Sequence, residues 1–327
     1  MLNSLSSEKD CITKNRNIVN ISFIIPAYNE EKHLPKVLAT INQLLSDLAY
    51  EIIVVDNGST DSTVNIAQEF GANVFSSSDM TIAGLRNLGA ECAIGKILVF
   101  LDGDVFITSM WAKEISKVIS AFQHNKHIIT GSRCGISLQP TWIERYWFAP
   151  MIQERSNYMN SGHLIIDKEI FNEIGGFNDT LVTGEDWEFS MRAKQNGITI
   201  INNPELHVIH EGYPKTLMQF VRREKWHGIQ DFYDMKSFMN SKPAILAMFY
   251  WFSGTLGIIL SVYYKSITYI VSSIMINFAL CFLVTLYKRK QFPVNMKFNF
   301  LLYNAYFFAR GLSFIERMNQ RNPRYSR

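Results

Sequence analysis

Short apolar runs alternate with amphipathic stretches through the first third of the chain. The apolar runs predict strands at 21–25, 51–55, 73–75 and 96–101, of which 51–55 and 96–101 are expected to be buried. Apolar residues spaced three and four positions apart predict helices between them, at about 31–47, 62–70 and 81–91. Because strand and helix alternate, the pattern favours an α/β fold, with a mostly parallel sheet flanked by helices and right-handed crossovers.

The pattern is less regular after residue 104. It predicts a helix at 110–125, strands at 127–131 and 162–166, and a helix from 185 to about 196. The aromatic cluster at 142–148 is best explained by packing into the core. Residues 216–236 mix apolar and basic side chains, a composition typical of an amphipathic helix at a membrane interface.

Two long uncharged windows follow. No charged residue occurs from Pro243 to Tyr264, and after Lys265 none occurs before Lys288. Each window has 22 residues, which is enough for a helix to cross a bilayer. A charge-free helix in a soluble core is the alternative, but two windows in tandem favour a membrane hairpin.

Basic residues flank this predicted hairpin on its outer sides. They are Arg222, Arg223, Lys225, Lys236 and Lys242 before it, and Lys288, Arg289 and Lys290 after it. Only Lys265 lies at the turn, so the large amino-terminal part is expected to face the cytoplasm. The later stretch Phe298–Ala309 has only twelve uncharged residues, which favours an interfacial helix over a third span.

The chain therefore divides into five parts. These are a polar tail at 1–19, an α/β domain at 20–213, an amphipathic interfacial helix at 214–242, two transmembrane helices at 243–290, and an interfacial helix with a basic tail at 291–327. The first residues have no apolar signal core, so we expect no cleavable secretion signal.

Composition and charge limit the classes of binding partner that the chain is expected to have. Hydrophobic residues make up 47% of the chain, enough for a large core, and the net charge of only +3 gives no indication of nucleic-acid binding. The basic residues concentrate near the apolar windows, which indicates a membrane surface as partner. The four cysteines are scattered without a Cys-X-X-Cys pair and predict neither disulfides nor a zinc site.

Polar residues with candidate chemistry follow the predicted strands. Asp102 and Asp104, separated by Gly103, come directly after the fourth strand, at the sheet edge where ligands bind in open α/β folds. Two carboxylates can hold a hard divalent cation and leave its other positions for phosphate oxygens. An ordinary Asp-Gly-Asp turn is the alternative. Likewise, Asp56 alone is explained by turn chemistry, and Arg86 alone by a solvated helix face.

Four motifs in order carry a family resemblance. They are PAYNE at 26–30, VDNGSTD at 55–61, RNLG at 86–89 and FLDGD at 100–104. Over about residues 20–228 the chain resembles family 2 glycosyltransferases with the GT-A fold. The resemblance implies a nucleotide-sugar site lined by Pro26, Ala27, Tyr28, Glu30, Asp56 and Arg86, with Asp102 near the ribose. It also implies that Asp104 binds Mg²⁺ or Mn²⁺.

Two adjacent acids open the predicted helix at residue 185. Glu185 and Asp186 are ordinary capping residues in one interpretation. An enzyme that joins an acceptor hydroxyl to an anomeric carbon, however, benefits from a carboxylate that takes the hydroxyl proton. The resemblance implies that Asp186 is this base and that Glu185 contacts the acceptor. Trp187 is then expected to form a wall for the acceptor.

A histidine and two basic residues complete the expected site. A lone histidine is more often structural, but the resemblance implies a histidine near the metal or diphosphate, and His210 is preferred to His207. Residues 222–226 resemble the Gln-X-X-Arg-Trp signature of processive synthases, with arginine and lysine replacing glutamine and arginine. Arg222 and Lys225 are therefore candidate diphosphate contacts.

The sequence thus predicts a membrane-anchored, metal-dependent glycosyltransferase, active at the cytoplasmic face. It would transfer one sugar, with inversion, from a nucleotide-diphosphate sugar to a hydroxyl of a lipid or lipid-linked glycan. A polysaccharide synthase needs a channel that two spans cannot form. A polyprenyl-phosphate glycosyltransferase has an anionic nucleophile and needs no base. A catalytically silent scaffold is expected to lack Asp104 or Asp186, and both are present.

Overall fold

The computed structural model describes residues 19–152, 157–289 and 295–319. Strand and helix alternate through its first part: β1 (Ile21–Ala27), α1 (Leu34–Leu44), β2 (Tyr50–Asp56), α2 (Thr63–Glu69), β3 (Asn73–Ser76), α3 (Ile82–Cys92) and β4 (Ile97–Leu101). Every element predicted here is confirmed in type, with ends that differ by up to three residues. The predicted tail before residue 19 and the basic tail after residue 319 lie outside the described residues.

The second part of the α/β domain contains elements that the pattern missed. Its order is β5 (Val105–Ile107), α4 (Ser109–His124), β6 (Ile128–Gly131), a π-helical turn (Glu144–Phe148), α5 (Ala149–Ile152), β7 (His163–Asp167), α6 (Lys168–Ile174), α7 (Glu185–Gln195), β8 (Thr199–Asn202) and β9 (Val208–His210). Strands β5, β8 and β9 have only three or four residues. Such short strands are too brief to show a clear period of two.

The central sheet has seven strands in the order β3-β2-β1-β4-β7-β6-β8. The β1–β2, β1–β4, β2–β3 and β6–β8 pairs are parallel, and β7 is antiparallel to both of its neighbours. This confirms the mostly parallel sheet and adds one reversed strand. The apolar run of β7 reads the same in either direction, so the sequence did not show its reversal.

Alternating strand residues build a core on each face of the sheet. In β1, Phe23 packs into the cluster that includes α1 and α4, whereas Ile24 packs into the cluster that includes α3, α6 and α7. This is the period-two alternation of a strand that is buried on both faces. All seven residues of β1 are buried, so the carboxyl end of this strand is held rigidly under the loop that follows it.

A helical part follows the sheets: α8 (Leu217–His227), a 3₁₀ turn (Gln230–Phe232), α9 (Met235–Asn240), α10 (Lys242–Tyr264), α11 (Thr268–Arg289) and α12 (Met296–Asn319). The single amphipathic helix predicted over 216–236 is therefore wrong in extent. Gly228 ends α8 where α12 comes so close that a Cβ there would lie 2.3 Å from Ser313 Oγ. Asp234 then caps α9 by accepting a hydrogen bond from the Ser237 amide.

Two of these helices are long and apolar enough to cross a membrane. They are Lys242–Tyr264 and Thr268–Lys288, with mean hydropathies of 1.8 and 2.1. They pack against each other through small and polar residues, since Ser253 bonds Asn277 and a Cβ at Gly257 would collide with Ser273. Close helix contacts through small residues are common between membrane helices.

The third long helix, α12, is twice as long as the apolar stretch that predicted it. Its inner side packs with the π-helical turn and α8 in a third apolar cluster that includes Trp147, Phe148, Phe220 and Phe307. This confirms that the aromatic residues at 142–148 are mainly core residues. The opposite side of α12 exposes apolar side chains, among them Leu301, Phe308 and Ile315.

Candidate active site

The loops after β1 and β2 are joined into one rim by hydrogen bonds. Asn29, in a left-handed conformation with φ 54°, accepts a hydrogen bond from the Thr60 amide at 2.9 Å. Its own amide donates to Ser59 Oγ at 2.9 Å. The Glu30 amide donates to Thr63 Oγ1 at 2.8 Å. These bonds explain why the two motifs each contain short polar residues, and they fix one side of the sheet's carboxyl edge.

Asp56 lies at the carboxyl end of β2, beside the end of β1 that carries Pro26 and Ala27. Its Oδ2 accepts hydrogen bonds from the amides of Gly58 and Ser59, both at 3.0 Å. Its Oδ1 is buried and has no hydrogen-bond partner among the residues that the structure describes. A buried acceptor without a partner is costly, so this oxygen is suited to receive a ligand's N–H group.

Tyr28 and Glu30, two other residues of the first motif, differ in how far they are buried. Tyr28 is half-buried directly after β1, whereas Glu30 is buried. A Cβ at Gly103 would lie 3.0 Å from the Glu30 side chain, so this glutamate packs against the Asp-Gly-Asp turn. The structure thus brings residues of the first, second and fourth motifs to one edge.

Arg86 is the centre of the site. It lies on α3, is 1% exposed, and donates to Asp102 Oδ1 at 2.6 Å and to Glu185 Oε1 at 2.8 Å. These partners lie 16 and 99 positions away in sequence. The coulombic attraction of the carboxylates, Asp102 first, raises the pKa of Arg86 although burial opposes this. The arginine therefore connects the Asp-Gly-Asp turn to the acids that open α7.

A candidate metal centre lies next to this arginine. Asp102, Asp104 and His210 each offer a ligand atom, and these atoms lie within 4.8 Å of one another. The antiparallel β5–β9 pair explains the proximity, because Val105 is opposite His210 in its register. His210 Nε2 lies 3.4 Å from Asp104 Oδ1. Carboxylate oxygens suit Mg²⁺ and Mn²⁺, and an imidazole nitrogen is also a common ligand of transition metals such as Mn²⁺.

Glycines allow this close approach. A Cβ at Gly212 would lie 1.8 Å from Asp104 Oδ2, and one at Gly162 would lie 2.6 Å from Asp102 Oδ2. Both carboxylates are therefore pressed against backbone that carries no side chain. The sequence did not mark either glycine as part of the site.

The two acids at the start of α7 have different surroundings. Glu185 is buried and also accepts a hydrogen bond from Ser161 Oγ at 2.9 Å. Asp186 accepts one from Asn160 Nδ2 at 3.1 Å. Burial, and then the charge of Glu185, raise the pKa of Asp186 to about 7. Trp187, beside it, is 57% exposed.

The two other basic candidates lie on α8. Lys225 donates to Glu316 of α12 at 3.0 Å, and Arg222 is exposed. Neither has a described contact with the carboxylates around Arg86. The processive-synthase resemblance of this segment therefore gains no support from the described contacts.

The sequence reasoning missed several residues that the structure places at the site. Asn160 and Ser161 lie in the loop before β7, where no pattern marked them. Tyr213 contacts the His210 ring, with centroids 4.1 Å apart. Burial raises the pKa of Tyr213, so its hydroxyl stays protonated and donates to the Cys134 carbonyl at 3.2 Å. Tyr213 lies only three positions after His210, and this short spacing was the sequence feature that could have marked it as a site residue.

Two family profiles match this chain. The one described as Glycosyl transferase family 2 matches residues 22–178, and the one described as Glycosyl transferase family group 2 matches residues 108–288, more than half of the chain. The chain belongs to the family 2 glycosyltransferases.

Similar sequences include glycosyltransferase AglE of Haloferax volcanii, which is 29% identical over an alignment of 195 positions that covers 55% of this chain and 63% of AglE. The 4,4'-diaponeurosporenoate glycosyltransferase of Staphylococcus haemolyticus is 40% identical over an alignment of 102 positions that covers 29% of this chain and 27% of that protein. The matched regions thus span less than two thirds of these relatives.

A solved structure with the same fold is mannosyltransferase PcManGT from Pyrobaculum calidifontis, in complex with GDP-Man and Mn²⁺. The TM-score is 0.59 at 15% identity, and the match covers 93% of this chain and 88% of that one. The fold is of the GT-A type, as the resemblance implied.

Proposed function

We propose that this protein is a membrane-anchored, metal-dependent glycosyltransferase that transfers one sugar, with inversion, from a nucleotide-diphosphate sugar to a hydroxyl of a lipid or lipid-linked glycan. One observation carries this proposal. Arg86 holds Asp102 on its donor side and Glu185 on its acceptor side, at 2.6 and 2.8 Å. A single buried cation would thereby fix the distance between a nucleotide-diphosphate site and the start of α7, which carries the candidate base Asp186.

The donor's nucleoside would lie on the rim formed by the first two loops. Asp56 Oδ1 is the acceptor available there for an N–H of the base, and the β1 end at Pro26 and Ala27, with Tyr28, supplies the neighbouring surface. Asp102 would face the ribose while it remains bonded to Arg86. PcManGT holds GDP-Man on the same fold, which supports a nucleotide-sugar donor of this class.

The metal would be Mg²⁺ or Mn²⁺, held by Asp104 and His210 with Asp102 nearby. When bound, it would neutralise the charge that develops on the departing diphosphate. The chain's own residues do the positioning: Gly212 sets the depth of the Asp104 carboxylate, and the β5–β9 pairing holds His210 opposite it. The imidazole nitrogen favours Mn²⁺ over Mg²⁺, which prefers oxygen ligands.

Asp186 would take the proton from the acceptor hydroxyl as that oxygen attacks the anomeric carbon. A pKa of about 7 suits this role, because a base is most effective when its pKa lies near the working pH. The Asn160 side-chain amide donates to Asp186 Oδ2, and the Trp187 backbone amide donates to Oδ1, so the carboxylate is oriented through both oxygens. Glu185 would remain bonded to Arg86 and Ser161 and shape the acceptor side.

The membrane part would comprise the hairpin at 243–290, with the interfacial segments 214–242 and 291–327 on the cytoplasmic side. Helices α10 and α11 have the length and hydropathy for this. Arg310 of α12 bonds Asp231 and Glu224 in the segment that precedes the hairpin, which favours α12 lying beside that segment over a third span. A cysteine at Lys265 should react with an impermeant thiol reagent from outside intact cells, and its protection would contradict this topology.

The second candidate is a polyprenyl-phosphate glycosyltransferase. Its acceptor is already an anion, so Asp186 would not be needed as a base. The apolar exposed faces of α10 and α11 fit a lipid acceptor of either kind. A catalytically silent nucleotide-binding scaffold is the third candidate.

The decisive experiment compares Asp186→Asn with the wild type in single-turnover transfer, after a screen of labelled nucleotide sugars against membrane lipid extract has identified the donor. Asparagine keeps the size and one acceptor oxygen but cannot take a proton. We expect nearly unchanged donor binding and a rate loss on the order of 10² to 10⁴. Glu188→Gln is the matched control, since Glu188 lies on the same helix turn and pairs with Arg192 instead.

Each result separates the candidates. A loss below about tenfold in Asp186→Asn would favour the phosphate acceptor, because that is well short of a base's contribution. Tight nucleotide binding by a wild type that transfers no sugar would favour the scaffold.

A further inference from the structure

Tyr213 is held between two rings. One face contacts His210, with ring centroids 4.1 Å apart and 45° between the planes. It also stacks on Phe148, at 4.1 Å and 18°. Phe148 is 3% exposed, and the Arg223 guanidinium lies 4.9 Å from its ring centroid. The tyrosine ring therefore has little freedom to rotate.

The same short backbone segment fixes Tyr213 and His210. The Tyr213 hydroxyl donates to the Cys134 carbonyl at 3.2 Å. The His210 amide donates to the next carbonyl, that of Gly135, at 3.0 Å, and the Gly135 amide donates to Val208 at 2.8 Å. Residues 134–135 thus hold the backbone of His210 and the hydroxyl of the ring that packs on its imidazole. This arrangement leaves the imidazole aimed at Asp104, with Nε2 3.4 Å from Oδ1.

We propose that Tyr213 is a positioning residue for the metal centre: its ring, clamped by Phe148 and tied to Cys134, orients the His210 imidazole toward Asp104. This inference rests on the proposed metal site. The groups that orient metal-binding histidines commonly change metal affinity when they are altered, by about 10- to 100-fold. Here an aromatic face would supply much of that orientation.

The test measures Mn²⁺ binding to the full-length protein in detergent by the loss of the free Mn²⁺ signal in electron paramagnetic resonance. Tyr213→Phe keeps the ring and loses only the hydroxyl, so its affinity should stay within about threefold of the wild type, the size of one modest hydrogen bond. Tyr213→Leu removes the ring and should weaken binding about tenfold or more. Tyr146→Leu is the matched control, because Tyr146 stacks on Phe298, at 4.6 Å and 8°, away from the metal centre.

A double mutant separates orientation from general damage. If Tyr213 acts through His210, Tyr213→Leu should lower Mn²⁺ affinity in the wild type but add less than about twofold in a His210→Ala background, because contacting residues that act as one unit are not additive. If the losses of Mn²⁺ affinity in the two single mutants add fully in the double mutant, the proposal is wrong. If Tyr213→Leu does not fold, Phe148→Leu takes its place, and wild-type affinity in that variant would overturn the proposal as well.

The controls also distinguish this inference from the proposed function. Asp104→Asn and His210→Ala should each lower Mn²⁺ affinity. Unchanged Mn²⁺ affinity in both variants would contradict the proposed metal site, and therefore this inference as well. Weakened binding in both, with wild-type binding in Tyr213→Leu, would leave the metal site standing and exclude only the role of Tyr213.

Discussion

Two buried clusters in this protein have the same arrangement of side chains, in which one arginine bonds two carboxylates. In the α/β domain, Arg86 bonds Asp102 and Glu185 at 2.6 and 2.8 Å. In the helical part, Arg310 bonds Asp231 and Glu224 at 2.8 and 3.2 Å. The arginine side chains are 2% and 14% exposed. By local geometry alone the two clusters are nearly equivalent.

Their charge balance differs. Next to the Arg86 cluster lie two further carboxylates, Asp104 and Asp186, whereas a second arginine, Arg223, bonds Glu224 beside Arg310. Among the described contacts, the first cluster therefore has four carboxylates to one bonded arginine, and the second has two of each. Carboxylates that outnumber their cations in a buried site favour a bound cation. Burial also raises the pKa of Asp231 in the second cluster, so a raised carboxyl pKa does not distinguish the two clusters, whereas their charge balance does.

The largest expected effect is that of Arg86→Met. Removing one partner of a buried ionic cluster leaves uncompensated carboxylates, at a cost of about 3–5 kcal/mol in the free energy of unfolding. We also expect donor binding and transfer to be lost, because Asp102 and Glu185 lose their common anchor. Thermal unfolding and nucleotide titration measure the two effects. Lys117→Met, which breaks an exposed pair with Glu114, should leave both nearly unchanged.

Arg310→Met is the matching change in the balanced cluster. It should destabilise the contact between α12 and α8 by about 2–3 kcal/mol, less than Arg86→Met because Glu224 keeps Arg223 as partner. Faster limited proteolysis of the helical part would show this loss. Donor affinity should not change. A fall in donor affinity equal to that in Arg86→Met would show that the two clusters do not differ in function as their charges indicate.

Gly212→Ala tests the unbalanced cluster without changing a charge. The added Cβ would lie 1.8 Å from Asp104 Oδ2, so the carboxylate must move. We expect Mn²⁺ affinity to fall about tenfold, in the range seen when the support of a metal ligand is altered. Gly254→Ala is the control, since its Cβ would meet only Asn277 at an ordinary 3.9 Å. Equal affinity in both variants would contradict the proposed role of Gly212.

The smallest effect is a pH dependence. Burial and Glu185 raise the pKa of Asp186 to about 7, while Arg86 opposes the rise. The base works only when deprotonated, so kcat/KM should increase with pH through this pKa and be about fourfold below its plateau half a unit beneath it. The residual kcat/KM of Asp186→Asn should not show this increase with pH. If Asp186→Asn shows the same increase, the titrating group is not Asp186.

Local sequence patterns predicted the elements of the first half well. β1, β2 and β4 are mostly apolar runs with buried cores, whereas β3 is a short, partly exposed strand at the sheet edge. Asp56 and Asp102, which were marked for chemistry, lie at or directly after strand ends. The same reasoning failed for the amphipathic segment 216–236. Its basic and acidic residues read as a face toward solvent or lipid, but Glu224 and Lys225 bond Arg310 and Glu316 of α12.

The α/β class, the two long apolar helices and the family could all be predicted from the sequence, because periodicity, hydropathy and short motifs depend on residues close together in the chain. Which of these residues contact one another could not be predicted and is seen in the tertiary structure. Arg86 bonds Glu185 across 99 positions, and Arg310 bonds Glu224 across 86. The pairing of β5 with β9 brings His210 to Asp104. Contacts between residues far apart in the chain arise from the packing of whole elements. Local patterns in one sequence therefore do not predict them.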